Sequence, residues 1–448
     1  METLASKSIY RTFFRYVSLN VLSMFGLSLY VLADTFFVAN GVGPDGLVAL
    51  NLAIPTYSLV NGVGLMIGIG AATLFSIATG KGDRKSGNRI FTQAFILCLV
   101  CGIILMCVGL IFNRPIAVML GAKGEHLIEM TATYLKMLMG FSCAFILNNL
   151  LVAFVRNDKN PRLAMTGMLA GCLFNIVFDY IFVFPMQLGL FGAALATGIA
   201  PVLSMAILST HFIRRKNSFQ LEKTKLNGHE LRSSVFTGLP SFIMEFSSGI
   251  IIFVFNMVIM RIAGDLGVAA YGIVANLSLV CIAIFTGVGQ GVQPVISVNY
   301  GAGNIQNVRK TFLMGAFLAL ALGIAFYLIA LLIPEQIASI FNSEGNAELS
   351  ELTQGGLRLY FLGFLFAGIN IVTTSFFASI ARPKPSFVIS ALRGFILIVP
   401  LVLLLPQALG LNGVWLSGPF TEALTFLVGI ACVLVFFKKI KQHPKAVV

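Results

Sequence analysis

An amide and a carboxylate stand one helical turn apart in a strongly apolar stretch of this 448-residue chain. Asn175 and Asp179 lie in GCLFNIVFDYIFVFPMQLGLFGAALATG, residues 171–198, where two apolar segments meet at an uncharged turn around 185–188. Residues four apart share a helix face, so the two side chains lie one above the other. A carboxylate at such a position costs about 2.5–3.5 kcal/mol on insertion scales, and packing does not require one. Asp179 is therefore a candidate functional residue.

Composition places the chain in a membrane. It is 58% hydrophobic and 10% charged, with a mean hydropathy of +0.93, whereas soluble domains carry about 25% charged residues. The seven cysteines all lie in apolar segments. The C-x-x-C at Cys98 lacks a metal or redox context, so small buried side chains are predicted. The first apolar run is long enough to cross a bilayer, which predicts a retained helix instead of a cleaved signal peptide.

Twelve apolar segments alternate with polar or Gly/Pro-rich turns. They predict an all-α polytopic membrane protein with twelve transmembrane helices. The segments cover about 14–39, 47–78, 90–112, 127–155, 161–184, 188–213, 235–262, 267–298, 309–333, 353–378, 385–405 and 411–437.

Basic residues are concentrated in alternate loops, from Lys7 at the amino terminus to Lys445 in the tail. Since Lys and Arg accumulate on the cytoplasmic side, this bias predicts that both termini lie in the cytoplasm. The net charge of +13 is then explained by the orientation of the protein in the membrane and by contact of its basic loops with the anionic lipid bilayer. Binding to nucleic acid is not expected.

The second half repeats the first at a constant offset. The matched pairs include Gly46 and Gly267, Gly68 and Gly289, Gly82 and Gly303, Pro185 and Pro406, and Gly192 and Gly413. Six crossings per repeat make the repeats parallel, which predicts two pseudo-symmetric six-helix lobes around a central cleft. The predicted boundaries are an N-lobe at 1–213, a cytoplasmic linker at 214–234 and a C-lobe at 235–448.

Glycine runs on the second and eighth segments invite comparison with phosphate-binding loops. They include Gly64 and Gly68 on the second segment and Gly287, Gly289 and Gly291 on the eighth. Because they fall inside membrane spans and Gly64-x-x-x-Gly68 has small-residue spacing, close helix packing is the favoured interpretation.

A second acid matches Asp179 in depth. Asp34 and Asp179 each lie about five residues before the outer end of their segments, or roughly 8 Å inside the membrane, and Thr197 lies about 12 Å deep. With Asn175, these residues form an all-oxygen set suited to Na⁺. The two acids can instead share a proton, because neighbouring like charges disfavour double ionisation. The sequence predicts a Na⁺ or H⁺ coupling site here, and no other metal or cofactor.

The second repeat lacks this polar set, because Phe255 stands at the position that matches Asp34 and Pro400 at the position that matches Asp179. Tyr30 and Asn149 are candidates for lining a substrate cavity, and Glu245 is a candidate second coupling or substrate-charge site. Three further ionisable groups within apolar segments, interpreted as buried, could pair across helices or line the cleft: Lys136, Arg393 and Glu422.

Several motifs together resemble the multidrug and toxic compound extrusion (MATE) family, and within it the bacterial MepA- and DinF-like exporters. They are LADTFFVANGVGPDGLVALNLAIP, the GKGDR segment at 80–84, FNIVFDYIF and LGLFGAALATG. The resemblance covers nearly the whole chain and implies twelve helices in two lobes, in a bacterial plasma membrane. It also implies a cation site formed by Asp34, Asn175, Asp179 and Thr197, near Tyr30 and Asn149. Some relatives have a carboxylate on helix 10, where this chain has Asn370.

The sequence thus predicts a secondary active exporter of lipophilic cationic drugs, working as a monomer by Na⁺ or H⁺ antiport and alternating access. A flippase for lipid-linked precursors is the alternative, but it needs a cationic cleft for a diphosphate. An integral-membrane enzyme would need nucleophile, base or metal motifs, which we do not find. A channel is disfavoured by the two-lobed repeat.

Overall fold

The computed structural model describes residues 8–342 and 346–442, so Lys7 and Lys445, used in the charge argument, lie outside the described residues. All regular structure in these residues is helical. The helices are α1 (Ile9–Gly41), α2 (Pro44–Lys81), α3 (Arg84–Met119), α4 (Glu125–Gly140), α5 (Ser142–Asn157), α6 (Pro161–Val183), α7 (Gly189–Ile213), α8 (Gly228–Gly301), α9 (Ile305–Leu332), α10 (Pro334–Phe341), α11 (Ala347–Tyr360), a 3₁₀ turn (Phe361–Gly363), α12 (Phe364–Ser379), α13 (Pro383–Ala391), a π-helical turn (Leu392–Ile396), α14 (Ile398–Leu409) and α15 (Leu411–Gln442).

The membrane-spanning character expected from composition is confirmed. Within the described ranges, 10 helices are long and apolar enough to cross a bilayer, or 11 if α4 and α5, bent by 45°, form one span. The 74-residue helix α8 contains both segments predicted at 235–262 and 267–298, and its backbone leaves helical geometry at Gly264. The count of twelve helices stays a prediction.

The internal repeat is visible in the backbone. Three pairs of glycines at the predicted offset have positive φ in both repeats: Gly43 (94°) and Gly264 (61°), Gly82 (78°) and Gly303 (73°), and Gly189 (55°) and Gly410 (57°). Between the second and third of these glycine pairs, the offset between the repeats is larger by one residue. Lys159 and Ala381, which both have positive φ, correspond at this larger offset, and so do helices α5 and α12. A single offset without gaps was therefore too simple for the fourth and tenth predicted segments.

Two compact units make up the described structure. The first unit is Leu22–Phe246, and the second consists of the described residues of 5–21 and 247–448. The first unit thus includes the opening turns of α8, whereas the opening turns of α1 belong to the second. The boundaries predicted from the sequence for the N-lobe, linker and C-lobe stay predictions.

Glycines permit close backbone contacts inside each unit. A methyl group added at Gly68 of α2 would lie 2.9 Å from the carbonyl oxygen of Asn149 on α5. In the second unit, one added at Gly287 would lie 2.6 Å from the Cα atom of Val21. Atoms cannot approach this closely, so only glycine fits. The packing role predicted for these glycine runs is confirmed.

The same contact recurs in both units at repeat-related positions. In the first unit, a Cβ atom at Gly238 of α8 would overlap the carbonyl oxygen of Met66 and lie 3.0 Å from the nitrogen of Gly70. In the second, a Cβ atom at Gly291 would lie 2.6 Å from the Cα atom of Val17 on α1. Gly70 and Gly291 are repeat partners, and so are Val17 and Gly238. Each unit therefore contains one close helix crossing of this kind.

The stretch after α7 is anchored to the first unit. Phe219 is completely buried, with its ring centroid 4.5 Å from that of Phe91 and 5.2 Å from that of Phe154. Asp158, which is buried, accepts a 2.9 Å hydrogen bond from His211 and a 2.7 Å bond from the backbone of Ser218. The predicted linker is therefore ordered against α3, α5 and α7, and α8 already begins at Gly228.

We expect Gly238→Ala to destabilise the protein, because the added methyl group must push α8 away from α2. Overpacking of this kind costs about 1–3 kcal/mol. The melting temperature in detergent should fall by several degrees. Gly272→Ala is the matched control, since no atom lies within 4 Å of a Cβ atom placed there. Equal melting temperatures for the two variants would contradict the packing.

Candidate coupling site

Asp34 and Asp179 meet inside the first unit. Their carboxyl groups lie within hydrogen-bonding reach of each other. Asp34 is seven residues before the end of α1 and Asp179 four before the end of α6, or about 10 and 6 Å by helical rise. Asp179 is completely buried and Asp34 is 9% exposed. The depth predicted from the sequence thus allows the contact that the structure contains.

Asn175 and Thr197 complete the set and are both buried. In the amide orientation that pairs each donor with an acceptor, Nδ2 of Asn175 donates to Oδ2 of Asp179 at 2.9 Å. The amide oxygen then accepts from the hydroxyl of Thr197 at 3.1 Å and from its backbone nitrogen at 3.2 Å. Asn175 therefore links the Asp179 carboxylate on α6 to Thr197, two turns into α7. All four predicted coupling residues are in one place.

A cavity of about 100 Å³ lies next to this group. Its wall includes Tyr30, Asn149, Asn175 and Thr197. The hydroxyl groups of Tyr30 and Tyr57 are 3.1 Å apart. Drug-sized pockets have about 300–1,000 Å³, so this cavity has room for water molecules or an ion. Of the three residues predicted for a substrate cavity, Tyr30 and Asn149 lie on this wall and Glu245 does not.

Glu245 joins the first unit through two amides. Asn61 on α2 donates to Oε1 of Glu245 at 2.9 Å, and Asn149 on α5 donates to Oδ1 of Asn61 at 2.8 Å. Asn61 and Asn149 both line the cavity. The chain of hydrogen bonds therefore runs from the carboxylate of Glu245 to the cavity wall. The helical turn that carries Glu245 belongs to the first unit.

The chemistry of this arrangement follows from burial. Two carboxylates in contact inside a membrane cannot both remain bare anions, because desolvation and mutual repulsion act in the same direction. A shared proton or a bound cation relieves both. Among the described residues, the Oδ1 atoms of Asp34 and Asp179 are buried and accept no hydrogen bond. With the hydroxyl of Thr197, they offer the oxygen ligands that a hard cation prefers.

Sequence reasoning missed Asn61 and Tyr57. They lie four residues apart on α2, the same spacing that identified Asn175 and Asp179, so the signal was present. The role of Asn61, however, depends on Glu245, which lies 184 residues away in the sequence. Lys136 requires a correction: it is exposed in the structure, not buried. Arg393 and Glu422 do pair across helices, with Nη2 and Oε1 2.7 Å apart.

Comparison with known proteins gives a consistent result. The family model described as MatE matches residues 20–181 and 240–404. The chain belongs to the MatE family. The multidrug export protein MepA of Staphylococcus aureus strain MSSA476 is 27% identical over 413 residues, covering 90% of this chain and 89% of the relative. MepA of Staphylococcus saprophyticus is 26% identical over 414 residues, with the same shares covered.

Solved structures of membrane transporters share the fold. An outward-facing multidrug resistance MATE family transporter of the MOP superfamily superimposes with a TM-score of 0.91 at 23% identity, covering 98% of each chain. A MOP superfamily transporter from Pyrococcus furiosus, described by the reverse polarity of its binding pocket, gives 0.89 at 22% identity with the same coverage. The all-α, two-lobed fold class predicted from the sequence is therefore confirmed.

We expect Asn61→Leu to destabilise this MatE protein, since it removes a hydrogen bond to the carboxylate of Glu245. A hydrogen bond to a charged group contributes about 1.5–3 kcal/mol. The melting temperature in detergent should fall for Asn61→Leu, whereas Asn61→Leu combined with Glu245→Leu should lose less than the sum of the single variants. Strictly additive losses would show that the two side chains are not coupled.

Proposed function

We propose that this chain is a secondary active exporter of lipophilic organic cations, driven by Na⁺ or H⁺ antiport. The contact between the carboxyl groups of Asp34 and Asp179 is the observation that carries the proposal. The MepA relatives, named as multidrug export proteins, support drug export as the activity. The cation is transported and no cofactor takes part.

Coupling follows from competition for negative charge. An inward-moving Na⁺ or H⁺ neutralises the carboxyl pair, and the loss of negative potential releases a cationic drug to the outside. Binding of the drug from the cytoplasm in turn favours release of the ion. Asn175 holds Asp179 in position, so its carboxylate keeps one geometry in both states. The protein alternates its access between the two sides of the plasma membrane, with both termini in the cytoplasm.

The rival function is less well supported. A flippase for lipid-linked precursors must hold a diphosphate, which requires an excess of cationic groups. The polar groups around the carboxyl pair are amides and hydroxyls: Tyr30, Asn149, Asn175 and Thr197. Arg393 in the second unit, whose side chain is 10% exposed, is already neutralised by Glu422. An exporter of cations fits these groups better than a carrier of anionic lipids.

Replacement of the central acid tests the proposal. In proteoliposomes with an imposed Na⁺ or pH gradient, wild-type protein should transport ethidium, and Asp179→Asn should transport it no faster than protein-free vesicles. The reason is that a neutral amide cannot release a proton or balance a cation. Asp45→Asn, at an exposed acid in the first turn of α2, is the matched control and should transport normally. Normal ion-driven transport by well-folded Asp179→Asn would refute the assignment.

Chemical modification distinguishes the two ions. Dicyclohexylcarbodiimide modifies protonated carboxyl groups in apolar surroundings, so mass spectrometry should find the adduct on Asp34 or Asp179. If Na⁺ is the coupling ion, NaCl should protect at constant pH while choline chloride does not. If H⁺ is the coupling ion, only a rise in pH should protect. Adducts confined to other carboxyl groups would argue against a site at this pair.

A further inference from the structure

The cavity beside the carboxyl pair extends along the helices toward one end of the first unit. On α7 its wall runs from Thr197 to Ser204, and on α6 it runs from Asn175 to Met168. A separation of seven residues corresponds to about 10 Å of helix. Both directions lead away from the pair and toward the end of the unit at which α7 continues into the basic linker. This end is the one predicted to face the cytoplasm.

Polar atoms on the cavity wall lack protein partners. Oγ of Ser204 and Oδ1 of Asn148 are buried and make no hydrogen bond within the described part of the chain, and both residues line the cavity. Buried polar groups of this kind are normally satisfied by water. The volume of about 100 Å³ has room for several water molecules, since one needs about 10–15 Å³ of accessible volume. The cavity is therefore suited to carry a proton or a partly hydrated ion away from the pair.

An apolar plug closes the inner end of the cavity. It consists of four buried side chains on three helices: Val152, Val155, Ala164 and Leu208. Val152 also lines the cavity, and Leu208 follows Ser204 on α7 by one helical turn. Leu208 packs on Gly167 of α6, where an added Cβ atom would lie 3.1 Å from the Cγ atom of the leucine. The plug therefore fills the space between α5, α6 and α7 directly below the cavity.

A buried polar cluster lies immediately beyond the plug. His211 is three residues after Leu208 on α7, and Asp158 is three after Val155 at the end of α5. Nε2 of His211 lies 2.9 Å from Oδ2 of Asp158, and Nδ1 of His211 lies 3.3 Å from Nδ2 of Asn160. Both His211 and Asp158 are buried. The plug is thus about one helical turn, or roughly 5 Å, thick, and it separates two polar regions.

The inner cluster occurs in the unit that contains the carboxyl pair. At the offset that relates α5 to α12, Ile380 matches Asp158, and at the offset of the flanking glycines, Cys432 matches His211. The pair of Asp158 and His211 is therefore not repeated at these positions of the second unit. Asp158 also accepts hydrogen bonds from Ser218, so anchoring of the linker is the competing role.

We propose that the coupling ion leaves the carboxyl pair through the interior of the first unit, by way of the cavity, the plug at Leu208 and the inner cluster of Asp158 and His211. The inference rests on the proposed function and adds to it a separate exit for the ion. A proton released by the pair crosses on water and is accepted by Nδ1 of His211, whose new charge Asp158 balances. A sodium ion is received by the carboxylate of Asp158.

The plug explains how transport of the ion stays coupled to transport of the drug. A closed apolar layer without water is a barrier to a charge, so the ion does not cross while the plug is shut. An ion that leaves through the first unit also does not have to pass the drug that enters from the cytoplasm. The plug is therefore the gate on the inner side of the coupling site.

A leak of the ion without drug tests the plug. Leu208→Ser exchanges a buried apolar side chain for a small polar one and should admit water to the plug. In proteoliposomes with a Na⁺ or pH gradient and no drug, this variant should pass the ion about tenfold faster than wild type or more, measured with radioactive sodium or a trapped pH-sensitive dye. Adding Asp179→Asn should abolish the leak, because the ion must pass the carboxyl pair. Leu135→Ser, at an equally buried leucine of α4, is the matched control and should not leak.

A second plug variant keeps the test decisive if Leu208→Ser does not fold. Val155→Thr retains the shape of the side chain and adds one hydroxyl group to the plug. It should leak as well, more slowly than Leu208→Ser and again only with Asp179 in place. The proposal is overturned if the folded plug variants do not leak, if the leak persists without Asp179, or if Leu135→Ser leaks equally.

The inner cluster is tested by His211→Gln. This variant should slow both gradient-driven ethidium transport and the leak of Leu208→Ser, and it should leave ethidium binding in detergent, followed by fluorescence anisotropy, unchanged. Asn217→Ala removes a 2.7 Å hydrogen bond within the linker and leaves Asp158 and His211 in place, so it is the control and should transport normally. Equal slowing by the two variants would show that the cluster acts by holding the linker, which contradicts its place on the path.

Ethidium transport by the wild-type protein separates this result from the proposed function. If the wild-type protein does not transport ethidium but Leu208→Ser leaks an ion that depends on Asp179, the export function fails and the ion path remains. If ethidium is transported and neither plug variant leaks, the ion path fails and the export function remains.

Discussion

The contact between two carboxyl groups at Asp34 and Asp179 sets the requirements for the rest of the first unit. Inside a membrane such a contact persists only if the surrounding groups fix both acids and a proton or cation offsets their charge. Asn175 fixes Asp179 through a 2.9 Å hydrogen bond, and Thr197 fixes Asn175. Glycines on α2 let α5 approach closely, which brings the amide of Asn149 to the nearby cavity. Packing that looks purely structural thus supports the polar site.

Much of the fold could be predicted because membrane burial leaves strong signals in the sequence. Apolar segments, the alternation of basic loops and the repeated glycines each report one physical requirement. The repeated glycines proved to be of two kinds. Gly43, Gly82 and Gly189 share positive φ with their repeat partners, whereas Gly68 and Gly287 lie against a neighbouring backbone. Sequence alone does not separate these two uses, since both exclude a side chain.

The candidate site was predictable in its members and less so in its connections. Helical spacing and depth identified Asp34, Asn175, Asp179 and Thr197. The amide of Asn61 was not identified, because its role depends on Glu245, 184 residues away. The partner of Glu245 could not be found from the spacing of residues along the chain, because the opening of α8 packs within the first unit. The hydrogen-bond partner of Glu245 is therefore determined by long-range packing, which local sequence patterns do not report.

The two units share a scaffold and differ in the chemistry at its centre, with acids, amides and hydroxyls in one and an internal ion pair in the other. Neither half of the gene encodes a finished unit, because residues 8–21 belong to the second and the stretch from Gly228 to Phe246 belongs to the first. Loss of either half would therefore remove a segment from the unit that the other half mainly forms.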